Sequence, residues 1–182
     1  MQKISLRDYK QNKNLRGNMF RAVLWELCSF VLLRNPLCIF SPLKRFILVL
    51  FGAKLGKEVV IKQAVHIKYP WRLSVGDYSW IGEEVWIDNI VSVEIGSNVC
   101  LSQGAYLCTG NHDWAKQDFP LIVKPIIIED GAWVGARAIV APGIRLRSHS
   151  ILTAGSVLTK DTEPYKVYSG NPAGYVKDRI IQ

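Results

Sequence analysis

PIIIEDGAWVGARAIVAPGIRLRSHSILTAGSVLTKD, residues 125–161, decides how the whole chain is read. Within it Ile128, Val134, Val140, Leu146, Leu152 and Leu158 stand six residues apart. That is not the 3.6-residue spacing of an amphipathic helix, and plain alternation does not connect these positions. A short fixed period marks a chain that coils, each repeat supplying one side of a turn. Upstream the same frame continues, broken twice by two-residue insertions: Leu55, Ile61 and Ile67, then Val75, Ile81 and Ile87, then Ile95, Leu101 and Leu107. All fifteen positions hold Ile, Leu or Val.

The companion positions agree. Gly follows the aliphatic residue at 56, 76, 82, 96 and 135, and small or β-branched residues stand four after it, as at Val59, Val65, Ser79, Ala105, Ala138 and Ser156. Three hexads then make one triangular coil, with the aliphatic side chains inside and the glycines expected to turn the backbone at the corners. A coil buries its faces only against the next coil, so the fold is a mainly β, parallel β-helix. It should span residues 55–163 and carry the chemistry. Residues 109–125, TGNHDWAKQDFPLIVKP, break the frame and read as one projecting loop.

Residues 1–54 read as an arm and two short amphipathic helices. Phe20, Val23, Leu24, Leu27, Phe30 and Val31 follow helical spacing. A second helix starts at Ser41-Pro42, a capping residue before a first-turn proline, and puts Leu43, Phe46, Ile47 and Leu50 on one face. Both are expected to cover the open end of the first coil; reversible contact with the inner face of a membrane is the second reading. At the other end, residues 164–182 form an extension in which Asn171-Pro172 looks like the cap and first turn of a short closing helix.

Bulk properties narrow the function. The opening segment MQKISLRDYKQNKNLRGN is polar and charged, unlike a secretory signal, and no uninterrupted apolar stretch reaches membrane-spanning length. Cys28, Cys38, Cys100 and Cys108 show no CxxC spacing, which argues against a disulfide framework or zinc site and for a reducing, cytoplasmic setting. The net charge of +8 fits nucleic acid, an anionic membrane surface or a phosphorylated cofactor, or else scattered solvated lysines with no partner. No helix-turn-helix, aromatic RNA-binding signature or zinc module is present, so nucleic acid is not expected.

Among the three histidines, His66 and His149 occupy ordinary repeat positions, whereas His112 stands in the projecting loop beside Asn111, Asp113 and Trp114. The stretch LSQGAYLCTGNHDW (101–114), then PIIIEDGAWVGARAIVAPGIRLRSHSILTAGSVLTKD and YSGNPAGYVKDR (168–179), resembles the hexapeptide-repeat acetyltransferases. The galactoside, maltose and nodulation-sugar enzymes share this layout, and those of colanic-acid and capsule gene clusters also match the apolar N-terminal region ending in FGAKLG (51–56). The resemblance covers essentially the whole chain.

That resemblance implies left-handed coiling and an acetyl-CoA-dependent O-acetyltransferase acting on a saccharide hydroxyl in exopolysaccharide or capsule biosynthesis. It makes His112 the general base, a task suited to imidazole. The backbone N–H of Ala136 would stabilise the oxyanion. Trp133 would wall the site, although a plain surface aromatic fits that position equally. Ala136, Ala154 and Thr159 would let the pantetheine of acetyl-CoA approach, and Lys160, Lys177 and Arg179 would meet its phosphates. Arg145, Arg147 and Lys166 add positive charge at this end. The family's arginine position is Gly174 here, which leaves Lys177 as the better phosphate contact. Relatives bind the acceptor with polar residues of the second coil. WIGEEVWIDN (80–89) offers Glu84, Asp88 and Asn89 there, with Asn111 and Asp113 from the loop, although the outward positions also suit plain surface. The family places its site between subunits of a homotrimer.

Rival readings remain. A γ-type carbonic anhydrase shares the fold but needs three clustered histidines, so no metal is expected. A non-catalytic scaffold would not need the loop histidine. An antibiotic, serine or amino sugar could replace the saccharide as acceptor.

Overall fold

The computed structural model describes residues 3–9, 15 and 17–182, so part of the polar opening segment lies outside the described residues. Residues 54–170 wind into a parallel β-solenoid with three strand ladders. The first sheet stacks Lys54–Leu55, Leu73–Val75, Val93–Ile95, Ile126–Ile128 and Arg145–Leu146. The second stacks Val60–Ile61, Trp80–Ile81, Cys100–Leu101, Trp133–Val134 and Ile151–Leu152, and the third His66–Ile67, Trp86–Asp88, Tyr106–Cys108, Ile139–Val140 and Val157–Leu158. Register follows the hexad frame. Leu55, Val75, Ile95, Ile128 and Leu146 align in the first sheet, Ile61, Ile81, Leu101, Val134 and Leu152 in the second, and Ile67, Ile87, Leu107, Val140 and Leu158 in the third. All are buried except Leu55, which is half-buried at the first rung.

The glycines do a different job from the expected one. The left-handed corner residue lies two positions after them. It is Glu58, Tyr78, Asn98, Gly131 and His149 between the first and second sheets, and Ala64, Glu84, Gly104, Arg137 and Gly155 between the second and third. The glycines directly after the aliphatic positions are where coils touch. A Cβ on Gly76 would lie 2.6 Å from the Gly96 carbonyl carbon, and one on Gly135 2.5 Å from the Ala154 nitrogen. Stacking distance, not turning, excludes side chains there.

Two helices close the first coil: α1 (Met19–Cys28), continued by one π-helical turn (Ser29–Leu33), and α2 (Ser41–Leu50). Trp25, Leu33 and Leu48 are fully buried, and the Trp25 indole N–H donates to the Ile67 carbonyl at 2.8 Å. Ser41 begins α2, yet its hydroxyl caps no helix; it accepts from the Ile61 N–H at 2.9 Å and satisfies the edge of the second sheet. The stripe expected to cover the coil points the other way. Phe20, Val23, Leu24, Leu27, Phe30 and Val31 are exposed, as are Leu43, Phe46 and Leu50. The inward faces instead run through Trp25, Ser29 and Leu33 in one helix and Lys44 and Leu48 in the other.

The C-terminal extension holds no helix. Lys166–Gly170 adds a parallel rung to the second sheet, with Val167 beside Ile151, and Ala173–Asp178 folds back on it antiparallel. Asn171-Pro172, in the cis form, is the turn of this hairpin. An Asn-Pro pair can begin a turn as readily as a helix, and the free edge of the second sheet took the segment into strand pairing.

Candidate active site

The projecting loop is a hairpin that leaves the corner between the third and first sheets. Gly110–His112 pairs antiparallel with Leu121–Val123, His112 opposite Leu121. This ladder fixes the backbone of His112, and Phe119 fixes its ring. The Phe119 carbonyl lies 2.8 Å from His112 Nδ1, and the Phe119 ring stacks on the imidazole at 4.4 Å with 7° between planes. A carbonyl can only accept, so Nδ1 carries the hydrogen and Nε2 keeps its lone pair. Phe119 reaches both positions through a left-handed backbone, φ 46°, a conformation uncommon for a bulky residue. Tyr9 of the N-terminal arm stands 5.7 Å from the imidazole, and the Ser5 N–H donates to the Gln117 carbonyl at 2.9 Å, so residues 3–9 lie against the hairpin.

The other loop residues are tied locally. Asn111 Oδ1 accepts from the His112 N–H, while Asp113 accepts from the Ala115 N–H and faces Lys116 at 3.6 Å. On the same corner one coil earlier, Asp88 pairs with Lys68 at 2.8 Å. Asn89 is completely buried, its amide accepting from Tyr69 N–H and donating to Tyr69 C=O. Both ends of Asn89 are engaged in joining the first two coils. Glu84 lies apart from these two, exposed at the corner between the second and third sheets.

That second-to-third corner also carries Ala136 and Ala154. The neighbours of Ala136 donate along the stack, Gly135 to Leu152 and Arg137 to Gln103, and among the described residues the Ala136 N–H makes no backbone bond. Trp133 stands outward on the second sheet, half exposed, its indole N–H held 2.8 Å from Ser102 Oγ. Thr159 and Lys160 are exposed just past the third sheet. Thus one chain does not gather the expected site: His112 projects from one edge of the prism and Ala136 lines another.

The C-terminal cations divide in the same way. Arg145 and Arg147 both bind Glu129, at 3.0 and 3.5 Å, and Lys166 pairs with Glu163. Burial works against ionisation of Glu129, but the two arginines and the Ser148 N–H more than offset it and hold its carboxyl below the usual range. Arg179 donates to the carbonyls of Gly131 and His149, locking the hairpin to the solenoid. Lys160 and Lys177 are exposed and, among the described residues, form no ion pair.

A cavity of about 270 Å³ lies on the outer face of the third sheet, lined by Glu26, Arg34, His66, Lys68, Trp86 and Asp88. Arg34 holds Glu26 at 2.6 Å. Burial and then the Arg34 charge hold the His66 imidazole below its usual range. Trp86 stands between His66 and Tyr106, its ring tilted against both, with centroids 6.2 and 4.8 Å away. Burial, with Cys108 and Asp88 beside it, pushes the Tyr106 hydroxyl up. Sequence reasoning passed over Glu26, Arg34 and His66. The spacing of twenty that stacks His66 under Trp86 was a legible signal; the reach of Glu26 and Arg34 from a helix was not. Among the described residues no group of three or more His, Cys, Asp or Glu side chains is placed to hold a metal ion.

A β-solenoid of hexapeptide coils with one histidine-bearing hairpin defines the class, and comparison with known proteins agrees. Residues 125–160 match the family described as hexapeptide repeat of succinyl-transferase. The chain is 36% identical over 164 residues to the putative colanic acid biosynthesis acetyltransferase WcaF of Escherichia coli K12, covering 90% of each. It superposes on a maltose O-acetyltransferase from Clostridium difficile with a TM-score of 0.83 at 24% identity, covering 95% of this chain and 92% of that one. A hexapeptide-repeat acetyltransferase from Vibrio cholerae, solved with acetyl-coenzyme A, gives a TM-score of 0.77 at 21% identity over 93% of this chain and 89% of that one. The chain belongs to the hexapeptide-repeat acetyltransferases.

Proposed function

We propose that the chain transfers the acetyl group of acetyl-CoA to a hydroxyl of a saccharide in exopolysaccharide or capsule assembly, on the cytoplasmic side. The observation that carries this is the His112 ring, held between Phe119 and Tyr9 with Nδ1 on the Phe119 carbonyl. Nε2 is therefore the atom that takes the acceptor's proton as its oxygen attacks the thioester carbon, and the proton passes on to the departing thiolate. Acetyl-CoA supplies the activated acyl carbon. The residues present fit it: a Cβ on Gly155 would meet nothing within 4 Å, Ala154 and Thr159 are exposed, and the Ala136 N–H is free to meet a developing oxyanion. Lys160 and Lys177 are the cations left for its phosphates. Trp133 serves as a wall.

Because His112 and Ala136 lie on different edges, the reading requires a homotrimer in which one subunit's hairpin faces its neighbour's coils. The cavity beside Asp88 supplies the acceptor subsite, with the Trp86 ring face and the carboxylates of Glu26 and Asp88 as hydroxyl partners. Asn89 and Arg179 drop out, since their polar groups hold the fold. The resemblance to a colanic acid enzyme favours a saccharide over an antibiotic or serine.

His112→Ala should lower kcat, read as release of free CoA, by about a hundred- to ten-thousandfold with little change in KM for acetyl-CoA. His66→Ala should mainly raise KM for the acceptor. An active His112→Ala enzyme would place the base elsewhere, and a monomer mass by light scattering would remove the shared site.

A further inference from the structure

The two N-terminal helices are amphipathic in reverse. A helix that only covers a domain turns its apolar stripe inward. Here the inward positions of α2 include Lys44, fully buried with its ammonium on the Lys62 carbonyl at 2.5 Å, while Phe46, Val49 and Leu50 face out. In α1 and its π turn, Phe20 is 77% exposed and Phe30 69%, and the connecting segment adds Leu37 at 85% and Phe40 at 66%. Scattered surface leucines need no explanation, but whole helical stripes of aromatic and aliphatic residues in water do.

Charge says what covers them. Residues 1–68, the arm, helices and first coil, hold thirteen basic and three acidic residues, a net +10, whereas residues 69–182 hold ten and twelve, a net −2. In the sequence, the whole positive excess of the chain lies in the stretch that carries the apolar stripes. Lys54, Lys57 and Lys62 are exposed on the first coil under the helices. Apolar stripes flanked by lysine and arginine are what an anionic lipid surface binds, the rings entering the acyl boundary and the cations meeting the headgroups. Among the described residues no helix is long and apolar enough to cross a membrane, so the attachment is interfacial.

We propose that the face formed by α1, α2 and their connection docks the protein on an anionic lipid bilayer. This is independent of which acceptor is acetylated. The full chain is incubated with phosphatidylcholine vesicles, with and without about one third phosphatidylglycerol, and sedimented. Binding should be at least about tenfold stronger with the anionic lipid and weaken in high salt. Phe30→Asp with Phe46→Asp should reduce it about tenfold or more, and so should Leu37→Asp alone, which lies outside both helices. Circular dichroism and turnover on a soluble acceptor should not change, which separates this test from that of His112. Absence of binding to either vesicle, equal binding to both, or binding indifferent to these variants would overturn the proposal. A drop in assembly mass in the aspartate variants with vesicle binding unaltered would assign the face to a second copy of the chain instead.

Discussion

The coils and the helices that close them are built from the same apolar residue types, arranged in opposite senses. In the solenoid, Ile81, Leu101, Val134 and Leu152 run as one buried ladder, and the residues between them, such as Trp80 and Trp133, look outward. In the cap, Phe20, Leu27 and Phe30 look outward and Trp25, Ser29 and Leu33 look in. The two regions face different partners: a coil has only the next coil, whereas a helix lying across an open end has protein on one side only. Periodicity therefore tells which residues share a face, and the available partner decides where that face points.

The largest expected effects are in the coils. Leu101→Ala, in the middle of a ladder, should cost about 2–5 kcal/mol in urea unfolding, the usual price of an unfilled core site. Phe30→Ala in the cap should stay within about 0.5 kcal/mol, as exposed positions do. Equal losses would show that the cap stripe is packed in solution and would erase the contrast. A second pair separates stacking from turning. Gly76→Ala puts a Cβ against the backbone of the next coil, so about 3 kcal/mol is expected. Gly155→Ala faces open space at a left-handed corner, φ 69°, where Ala64 already occupies the equivalent position of the first coil. About 1 kcal/mol is expected there, measured the same way.

These contrasts also mark how far the sequence could be read. The ladders were legible because each hexad repeats one environment, so Ile128 predicted Val134 and Leu146 in the frame. His112 was legible as the histidine outside that frame. The clamp around it was not: Phe119 acts through its backbone carbonyl, which any residue type carries, and Tyr9 arrives from the far end of the chain. The division of His112 and Ala136 between two edges follows from counting sheets around the coil, which the frame allowed once its corners were located. The closing helix was misread because Asn-Pro begins turns as readily as helices, and an unpaired sheet edge chose between them. The direction of the cap was hidden for the reason given above, and a lysine inside an apolar helix was its one sequence-level warning.

That lysine supplies the finest test of the cap's orientation. Lys44 is fully buried, with one carbonyl partner and no acidic side chain bonded to it among the described residues. Burial penalises its charged form and lowers its pKa from the ordinary 10.5, outweighing an opposing contribution from Cys38. A lowered pKa means that, between the folded value and 10.5, the unfolded chain binds more protons than the folded one. Folding stability carried by this group therefore rises with pH across that window and is flat below it. Lys44→Met removes the titration while keeping most of the volume. Near neutral pH its net effect should be under about 1 kcal/mol, because the lost bond to Lys62 is offset by relief of desolvation. As pH climbs toward 10.5, the difference between the two proteins should shift in favour of the wild type, read from urea midpoints in matched buffers. A difference that stayed constant with pH would mean that the ammonium is solvated in the folded protein. Helix α2 would then be rotated, its apolar stripe would lie on the first coil, and the surface assigned to lipid would not exist.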